Sequence, residues 1–289
     1  MSGVSTATAG RGVGSVTADA EIGIIGGSGF YRFLTDPELV TVDTPFGSPS
    51  AALALGTLGG RRVAFLPRHG TEHQFPPHRV NYRANLWALR AVGVRQVLAP
   101  SAVGSLRPEL GPGTVVVPDQ VVDRTSGRAH TVYDATGPVV HVSFGDPYCP
   151  RGRRAVVGAR ADVVDGGTLV VINGPRFSSR AESVWHAAQG WSVVGMTGQP
   201  EAAIARELAL CFTCVTLVTD RDAGVPGDPT DGEPVTHAAV LEMFAANIGR
   251  LKDLLTDAVA ALPGPETDDD ATCFCRRVLD GLTLPFPLP

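Results

Sequence analysis

The feature that most constrains the fold is a repeated alternation of short apolar runs with helix-like segments. Apolar runs occupy, among others, residues 21–25, 63–66, 97–100, 167–172 and 211–219, and most of them end in a glycine-rich or polar turn. Runs that are apolar throughout are typical of strands covered on both faces. The pattern therefore predicts an α/β fold with a central, largely parallel or mixed sheet flanked by helices.

Helix signals lie between these runs. Residues 81–92 carry apolar side chains at helical spacing and precede Gly93, a residue type that commonly ends a helix. Ser179 and Glu182 form a capping-box pattern, which predicts a helix that starts there. Two further helices are predicted at residues 200–210 and 235–258.

The chain length suits one domain. With 289 residues, of which 44% are hydrophobic, the chain can bury a large core. Residues 1–20 are rich in Ser, Thr, Ala and Gly and lack the apolar stretch of a signal peptide, so we expect a disordered tail. We expect the domain to span residues 21–262. Residues 263–289 form a linker and an apolar tail, which needs the body of the chain or a neighbouring subunit to pack against.

Charge and cysteine content exclude several function classes. The net charge of −5, without a stripe of basic residues, argues against nucleic acid as a partner. No apolar run approaches the roughly 20 residues that cross a membrane. Five cysteines are few and odd in number, which favours a reducing cytoplasm over a disulfide framework. Cys273 and Cys275 are expected to be incidental thiols, although a redox or disulfide role stays open, and no metal site is predicted.

Two candidate anion-binding segments follow predicted strands, where ligands of α/β sheets bind. The turn Gly26-Gly27-Ser28-Gly29 allows close approach of an anion to backbone amides and to the Ser28 hydroxyl. It matches neither the dinucleotide fingerprint nor the P-loop, and an ordinary tight turn is an equal alternative. Arg68 and His69 end the next strand, and a guanidinium beside an imidazole suits phosphate.

Two carboxylates follow the strand predicted at residues 211–219. Side chains alternate along an extended chain, so Asp220 and Asp222 face the same side. Such a pair suits a metal or the exocyclic amine of a base. No partner at metal-ligand spacing is evident, and His73, His78 and His141 also lack one, so the amine is preferred. Solvated aspartates in a turn are the alternative.

These motifs, taken in order, resemble the 5′-methylthioadenosine phosphorylase branch of the trimeric purine nucleoside phosphorylase family. The resemblance covers roughly residues 22–260. It rests on the following segments of this sequence: Ile22-Gly23-Ile24-Ile25-Gly26-Gly27-Ser28-Gly29, Pro67-Arg68-His69-Gly70, Asn81-Tyr82-Arg83-Ala84-Asn85, Ala102-Val103-Gly104-Ser105-Leu106, Gly174-Pro175-Arg176-Phe177-Ser178, Met196-Thr197, Pro200-Glu201 and Thr219-Asp220-Arg221-Asp222.

The resemblance implies a single α/β domain whose mixed sheet is partly barrel-like, working as a homotrimer or as paired trimers. It implies a role for eleven residues. Phosphate would be held by Ser28, Arg68, His69, Ser101, Ala102 and Thr197, and the nucleoside by Phe177, Met196, Asp220 and Asp222, with His141 supplied by the adjacent subunit.

The implied activity is that of a cytoplasmic pentosyltransferase in purine and methionine salvage, with phosphate as co-substrate and without a cofactor. Protonated Asp220 would donate to purine N7, and Asp222 would accept from the 6-amino group. The 6-oxopurine branch of the family usually has asparagine at the position of Asp220, so aspartate favours adenine. The expected substrate is 5′-methylthioadenosine or a close 5′-deoxyadenosine analogue.

Several alternatives remain open at this point. The chain could act on 6-oxopurine nucleosides, on 5′-halo-5′-deoxyadenosine, or as a hydrolase that uses water. A protein that senses nucleosides or phosphate without turnover is the non-enzymatic alternative. The 5′ substituent is the least constrained part, because residues 224–233 differ from the better-known animal enzymes.

Overall fold

The computed structural model describes residues 20–27, 30, 33–223, 225, 236–264 and 273–289, and the expected disordered tail lies outside them except for its last residue. The described residues form one mixed sheet with helices packed around it. The strands are β1 (Ile22–Gly26), β2 (Glu38–Val40), β3 (Leu53–Leu58), β4 (Arg61–Pro67), β5 (Gln96–Ser105), β6 (Val115–Val117), β7 (Gln120–Arg124), β8 (Val163–Asp165), β9 (Thr168–Ile172), β10 (Val193–Gly195) and β11 (Cys211–Arg221). The helices are α1 (Tyr82–Ala91), α2 (Pro150–Ala159), α3 (Arg180–Ala188), α4 (Gly198–Glu207), α5 (His237–Ala261) and the short α6 (Phe274–Arg277), with a 3₁₀ turn at Pro77–Arg79.

The sheet branches at β5. Its main path runs β2-β3-β4-β1-β5-β10-β9-β7, while β11 pairs with the other edge of β5 and continues through β6 to β8. Along one edge, β5 pairs first with β1 in parallel and then with β10 in antiparallel orientation. This branching gives the mixed, partly barrel-like sheet that the family resemblance implies.

Helices cover both faces of β11, as its continuous apolar sequence predicts. Phe212 and Cys214 point into a core shared with α1 and α4. Val215 and Leu217 point into a second core shared with α2 and α5. A strand that is buried on both faces has no polar side, which explains why its sequence does not alternate.

Predicted helix starts agree well with the structure. Asn81 caps α1 through its side chain, which accepts from the Ala84 amide. Ser179 and Glu182 form the predicted capping box at the start of α3. The segment α4 contains non-helical backbone at Gln199, just before Pro200.

Two strands run further than their apolar sequences predict. The turn expected at residues 101–105 is the second half of β5, because β11 pairs with it along this stretch. The turn expected at Asp220 is likewise the end of β11, which continues to Arg221 after a bulge at Thr219. Backbone pairing between β5 and β11 continues through these segments. Their sequence is polar because side chains such as Ser101 and Asp220 line a cavity instead of the core.

The described part of the C-terminal tail packs on the same chain. Phe286 lies edge-on to Trp87 of α1, with ring centroids 5.7 Å apart, and 5.4 Å from the Tyr133 ring. Packing against a neighbouring subunit stays a prediction. No helix among the described residues is long and apolar enough to cross a membrane.

Candidate active site

A cavity of about 390 Å³ lies where the ends of β1, β4, β10 and β11 meet the second half of β5. Nine of the predicted site residues line it. They are Arg68, His69, Ser101, Ala102, Phe177, Met196, Thr197, Asp220 and Asp222. Ser28 lies outside the described residues, although Gly27 beside it lines the cavity. His141 is exposed in the loop before α2 and does not line the cavity within this chain.

Arg68 is held rigidly in the cavity wall by Glu201 of α4. Its Nε and Nη2 donate to the two carboxylate oxygens of Glu201 at 2.8 and 2.9 Å, and both side chains are 1% exposed. Further hydrogen bonds run from Nη2 to the Ile25 carbonyl and from Nη1 to the Pro100 carbonyl, each 3.2 Å long. Burial alone would lower the pKa of Arg68, but the charge of Glu201 outweighs it and raises the pKa.

These bonds change the expected role of Arg68. An arginine side chain has five N–H donors, and four of them are directed to Glu201 and to backbone carbonyls. One N–H of Nη1 is left for a ligand. Arg68 therefore presents a fixed positive charge and a single donor to the cavity, rather than the planar fork that its residue type suggests.

His69 is neutral in this site. Its pKa is lowered to about 4 by burial and by the charge of Arg68. Nδ1 lies 2.8 Å from the Phe75 carbonyl, which can only accept, so Nδ1 carries the proton and Nε2 carries the lone pair. The sequence predicts that His69 binds phosphate, and Nε2 of this tautomer can only accept a hydrogen bond.

Two hydroxyl groups line the side of the cavity that the sequence predicts to bind an anion. Ser101 on β5 and Thr197 before α4 are each 7% exposed and line the cavity. The Thr197 hydroxyl makes no capping hydrogen bond to the helix that follows. Gly198 lets this segment pack closely, because a methyl group there would lie 2.7 Å from Leu169 Cδ2.

Asp220 lies opposite Gly104, its register partner on β5. A methyl group on Gly104 would lie 3.0 Å from Asp220 Oδ1 and 3.3 Å from Asp222 Cβ. Both aspartates thus face the same side of β11, as residue alternation predicts. The Thr219 hydroxyl, at the bulge, donates to Asp220 Oδ2 over 2.8 Å.

Asp222 is the more deeply buried carboxyl, with 3% of its surface exposed. Burial raises its pKa, and the neighbouring hydroxyls of Ser178 and Ser183 oppose this rise only in part. Asp222 Oδ2 and both of these hydroxyls are buried, and although the hydroxyls lie close enough to lower the pKa, none of the three forms a well-aligned hydrogen bond among the described residues. A raised pKa and an unsatisfied oxygen beside a cavity are properties expected of a carboxyl that contacts a ligand.

Phe177 and Met196 also line the cavity, and Met196 packs against Gly174. Gly174 has φ of +60°, and a methyl group there would lie 2.6 Å from Met196 Sδ. An aromatic ring and a thioether in the cavity wall suit the flat base and the sugar of a nucleoside.

The phosphorylase superfamily description matches residues 21–260 of this chain. The chain belongs to the phosphorylase superfamily. A Streptomyces coelicolor relative named purine nucleoside phosphorylase is 61% identical over 281 residues, which cover 93% of this chain and 98% of the relative. A Mycolicibacterium smegmatis relative named S-methyl-5′-thioadenosine phosphorylase is 54% identical over 269 residues, which cover 93% of this chain and 99% of the relative.

A solved structure extends the similarity to the fold. Methylthioadenosine phosphorylase from Schistosoma mansoni, in complex with adenine, superposes with a TM-score of 0.79 at 37% identity, covering 84% of this chain and 91% of the other. The predicted resemblance and fold class are therefore confirmed.

In this member of the phosphorylase superfamily, sequence reasoning missed the placement of three groups in or behind the cavity wall. His73 and His237 line the cavity. The ring centroid of His73 lies 4.7 Å from that of His69 and 5.8 Å from that of His237. Glu201 was matched only as part of a motif, although it holds Arg68. The signal for Glu201 was an acidic residue in the first turn of a predicted helix. Nothing in the sequence places His73 next to His237.

Proposed function

We propose that this protein cleaves 5′-methylthioadenosine, or a close 5′-deoxyadenosine analogue, with inorganic phosphate. The products are adenine and the 5-modified ribose 1-phosphate. The observation that carries the proposal is one cavity with anion-binding groups at one end and two aspartates at the other. Its volume of about 390 Å³ suits a nucleoside together with a phosphate ion.

At the anion-binding end, phosphate meets Arg68, neutral His69 and the hydroxyls of Ser101 and Thr197. Phosphate oxygen attacks C1′ of the ribose while the bond from C1′ to N9 of the purine breaks. The electron pair of that bond moves into the purine ring. The fixed charge of Arg68 keeps phosphate beside the sugar carbon, where positive charge develops in the transition state.

At the other end, a carboxyl group supplies the proton that the departing purine needs. The sequence predicts protonated Asp220 as this donor, with Asp222 as the acceptor. The raised pKa of Asp222 supports the opposite assignment, in which Asp222 carries the proton and Asp220 accepts from the 6-amino group. In both assignments purine N7 receives the proton.

The pH dependence of kcat/KM distinguishes the two assignments. Loss of the proton from the donor carboxyl produces a basic limb, and asparagine at the donor position abolishes this limb. If Asp222 is the donor, Asp222→Asn flattens the basic limb and Asp220→Asn retains it. The reverse result assigns the proton to Asp220.

A 6-oxopurine nucleoside is the second candidate substrate, because the S. coelicolor relative is named purine nucleoside phosphorylase. A panel that varies the 6 position and the 5′ group, each with and without phosphate, tests both candidates. We expect phosphate-dependent release of adenine from 5′-methylthioadenosine. Release of hypoxanthine from inosine, without adenine from any 5′-deoxyadenosine, would overturn the choice of base. Turnover without phosphate would indicate a hydrolase, and binding without turnover would indicate a sensor.

The cavity wall next to the phosphate end contains both polar and apolar side chains, which supports a 5′ pocket of mixed polarity. His73 and His237 lie beside Val240 there. Residues 224–233, which the sequence predicts to shape this pocket, lie outside the described residues except for residue 225. An imidazole N–H donates better to a 5′-hydroxyl than to a thioether sulfur. His237→Val is therefore expected to shift preference towards 5′-methylthioadenosine over adenosine in the same panel.

We also propose a homotrimer in the cytoplasm, with His141 reaching the cavity of a neighbouring subunit. The exposed position of His141 is compatible with this role. Mixing His141→Ala subunits with Asp220→Ala subunits tests it, because mixed trimers contain some sites with both residues intact. Recovered activity supports the shared site, and light scattering gives the subunit number.

A further inference from the structure

Four of the five cysteines form a cluster away from the cavity. Their Sγ atoms all lie within 4.8 Å of one another, and the residues are Cys149, Cys211, Cys273 and Cys275. All four side chains are buried, with between 1% and 7% of their surface exposed. The expectation that Cys273 and Cys275 are incidental thiols is therefore inconsistent with their placement.

The cluster joins three distant parts of the chain. Cys149 immediately precedes α2, Cys211 is the first residue of β11, and the other two flank Phe274 in the C-terminal tail. A hydrogen bond of 2.8 Å from the Cys149 amide to the Phe212 carbonyl connects the first two parts. Two ligands close in sequence and two from elsewhere in the fold are a common arrangement at structural metal sites.

The spacing of the sulfur atoms matches a tetrahedral metal site. Cys273 Sγ lies 3.8 Å from Cys149 Sγ and 3.6 Å from Cys211 Sγ. Zinc binds thiolate sulfur at about 2.3 Å, so two sulfurs of a tetrahedron are about 3.8 Å apart. A disulfide requires about 2.05 Å. These two sulfur–sulfur distances are thus those of a metal-bound set, and all the others are within 4.8 Å.

Three arginine residues contact the cluster or its neighbours, one of them, Arg206, through its side chain. The guanidinium of Arg206 lies 5.3 Å from the centre of the Phe274 ring, between the two tail cysteines. Arg276 follows Cys275 and donates its amide to the Cys273 carbonyl, and the Cys211 amide donates to the Arg95 carbonyl. Four thiolates around a divalent ion carry a net charge of −2, which nearby guanidinium groups stabilise.

We propose that Cys149, Cys211, Cys273 and Cys275 bind one zinc ion. Each thiol loses its proton to solvent when the ion binds, and no oxidant or reductant is needed. Because the protein supplies all four ligands, the site is closed and structural. It attaches the C-terminal tail to α2 and β11, and so revises the expectation that the chain holds no metal.

The ion would stabilise the packing of the tail. Cys273 and Cys275 stand at the start of the described tail segment, and Phe286 packs on Trp87 and Tyr133 at its other end. A linker of eight residues outside the described part, 265–272, precedes the cluster. Zinc would fix the near end of this segment, so its removal should release the tail before the domain unfolds.

Metal content of the full chain tests the proposal. The protein is purified with a phosphine reductant and without chelator, and zinc is quantified by mass spectrometry. We expect about one zinc ion per chain, and absorption bands of tetrahedral thiolate coordination after reconstitution with Co²⁺. The double variant Cys273→Ser/Cys275→Ser should lose the zinc and the Co²⁺ bands. It should still fold, because both changes lie in the tail.

Cys214→Ser is the matched control, because Cys214 is buried in β11 but lies outside the cluster. It should keep one zinc ion per chain. A strong zinc chelator should lower the melting temperature of the unaltered protein and increase proteolysis of its tail, without further effect on the double variant.

Three results would overturn the proposal. The first is reduced protein that binds neither zinc nor Co²⁺, with disulfides among the four cysteines after exposure to air. The second is equal zinc content in the unaltered protein and the double variant. The third is iron in place of zinc, which would reject the choice of metal.

Discussion

Replacing Glu201 by glutamine removes the charge that holds Arg68 in the wall of the cavity. The side chain keeps its shape and volume, so the change leaves no cavity and isolates the electrostatic effect. One carboxylate oxygen becomes an NH₂ group that faces an N–H donor of Arg68. The buried guanidinium then keeps its charge but loses its counter-charge, and part of its bidentate contact.

Two independent routes give a similar magnitude for this loss. Two opposite charges about 4 Å apart attract by about 4 kcal/mol at the effective dielectric constant of roughly 20 that fits protein sites. Removing one partner of a buried ion pair typically costs about 3–5 kcal/mol. Since both side chains are only 1% exposed, we expect Glu201→Gln to reduce the free energy of unfolding by about 3–5 kcal/mol.

Urea unfolding, followed by tryptophan fluorescence at a fixed protomer concentration, measures this loss. Glu182→Gln is the matched control, because Glu182 also forms a bidentate pair, with Arg176, but on the surface. Glutamine also supports a capping box, so the helix start of α3 should survive. The control should therefore lose far less stability, because solvent screens the exposed pair.

The double variant Arg68→Met/Glu201→Leu separates stability from function. Apolar side chains of similar size often replace a buried ion pair without loss of stability. The double variant should therefore recover most of the stability lost in Glu201→Gln. Its KM for phosphate should remain above that of the unaltered protein, because the charge of Arg68 is absent. A loss below about 1 kcal/mol in Glu201→Gln, or one equal to that of the surface control, would refute the electrostatic reasoning.

Three further predictions concern His69, Gly104 and Phe286. Because the folded pKa of His69 is about 4 and its unfolded pKa about 6.5, stability should fall by up to about 3 kcal/mol as pH drops from 6.5 to 4, and His69→Gln should remove this loss in pH-dependent urea titrations. Gly104→Ala places a methyl group 3.0 Å from Asp220 Oδ1, so steady-state kinetics should show a KM for nucleoside raised at least tenfold with little change in the KM for phosphate. Phe286→Ala should lower the free energy of unfolding by about 1–2 kcal/mol, less than the loss from a fully buried ring, because Phe286 packs on Trp87 at the edge of the core. An unchanged pH dependence, an unchanged nucleoside KM or an unaltered unfolding curve would contradict the respective prediction.

Local patterns were sufficient to predict the elements that position the site. Asn81 and Ser179 begin helices because their side chains accept from backbone amides, which is a local interaction readable from sequence. The apolar strands β1, β4 and β11 were predicted for a similar reason, since burial on both faces leaves a continuous apolar sequence. Short edge strands such as β2 were missed because their exposed residues carry no such signal.

Contacts between distant segments could not be predicted in the same way. Asp220 and Asp222 were placed on one side correctly, because alternation is a property of a single strand. The state of His69 depends on the Phe75 carbonyl and on the charge of Arg68, and neither effect is visible as a pattern. The cysteine cluster likewise forms only when three remote parts of the chain fold together.

The branching of the sheet at β5 has a consequence for how this site can change. Ser101 at the proposed phosphate end and Gly104 at the proposed base end are three residues apart on the same strand, a distance of about 10 Å. A displacement of β5 moves both ends together, so the strand fixes the distance between the two ends of the cavity and hence the length of ligand that fits. New specificities must therefore arise in the surrounding walls, at positions such as His237 and Phe177, while the distance between phosphate and base stays constant.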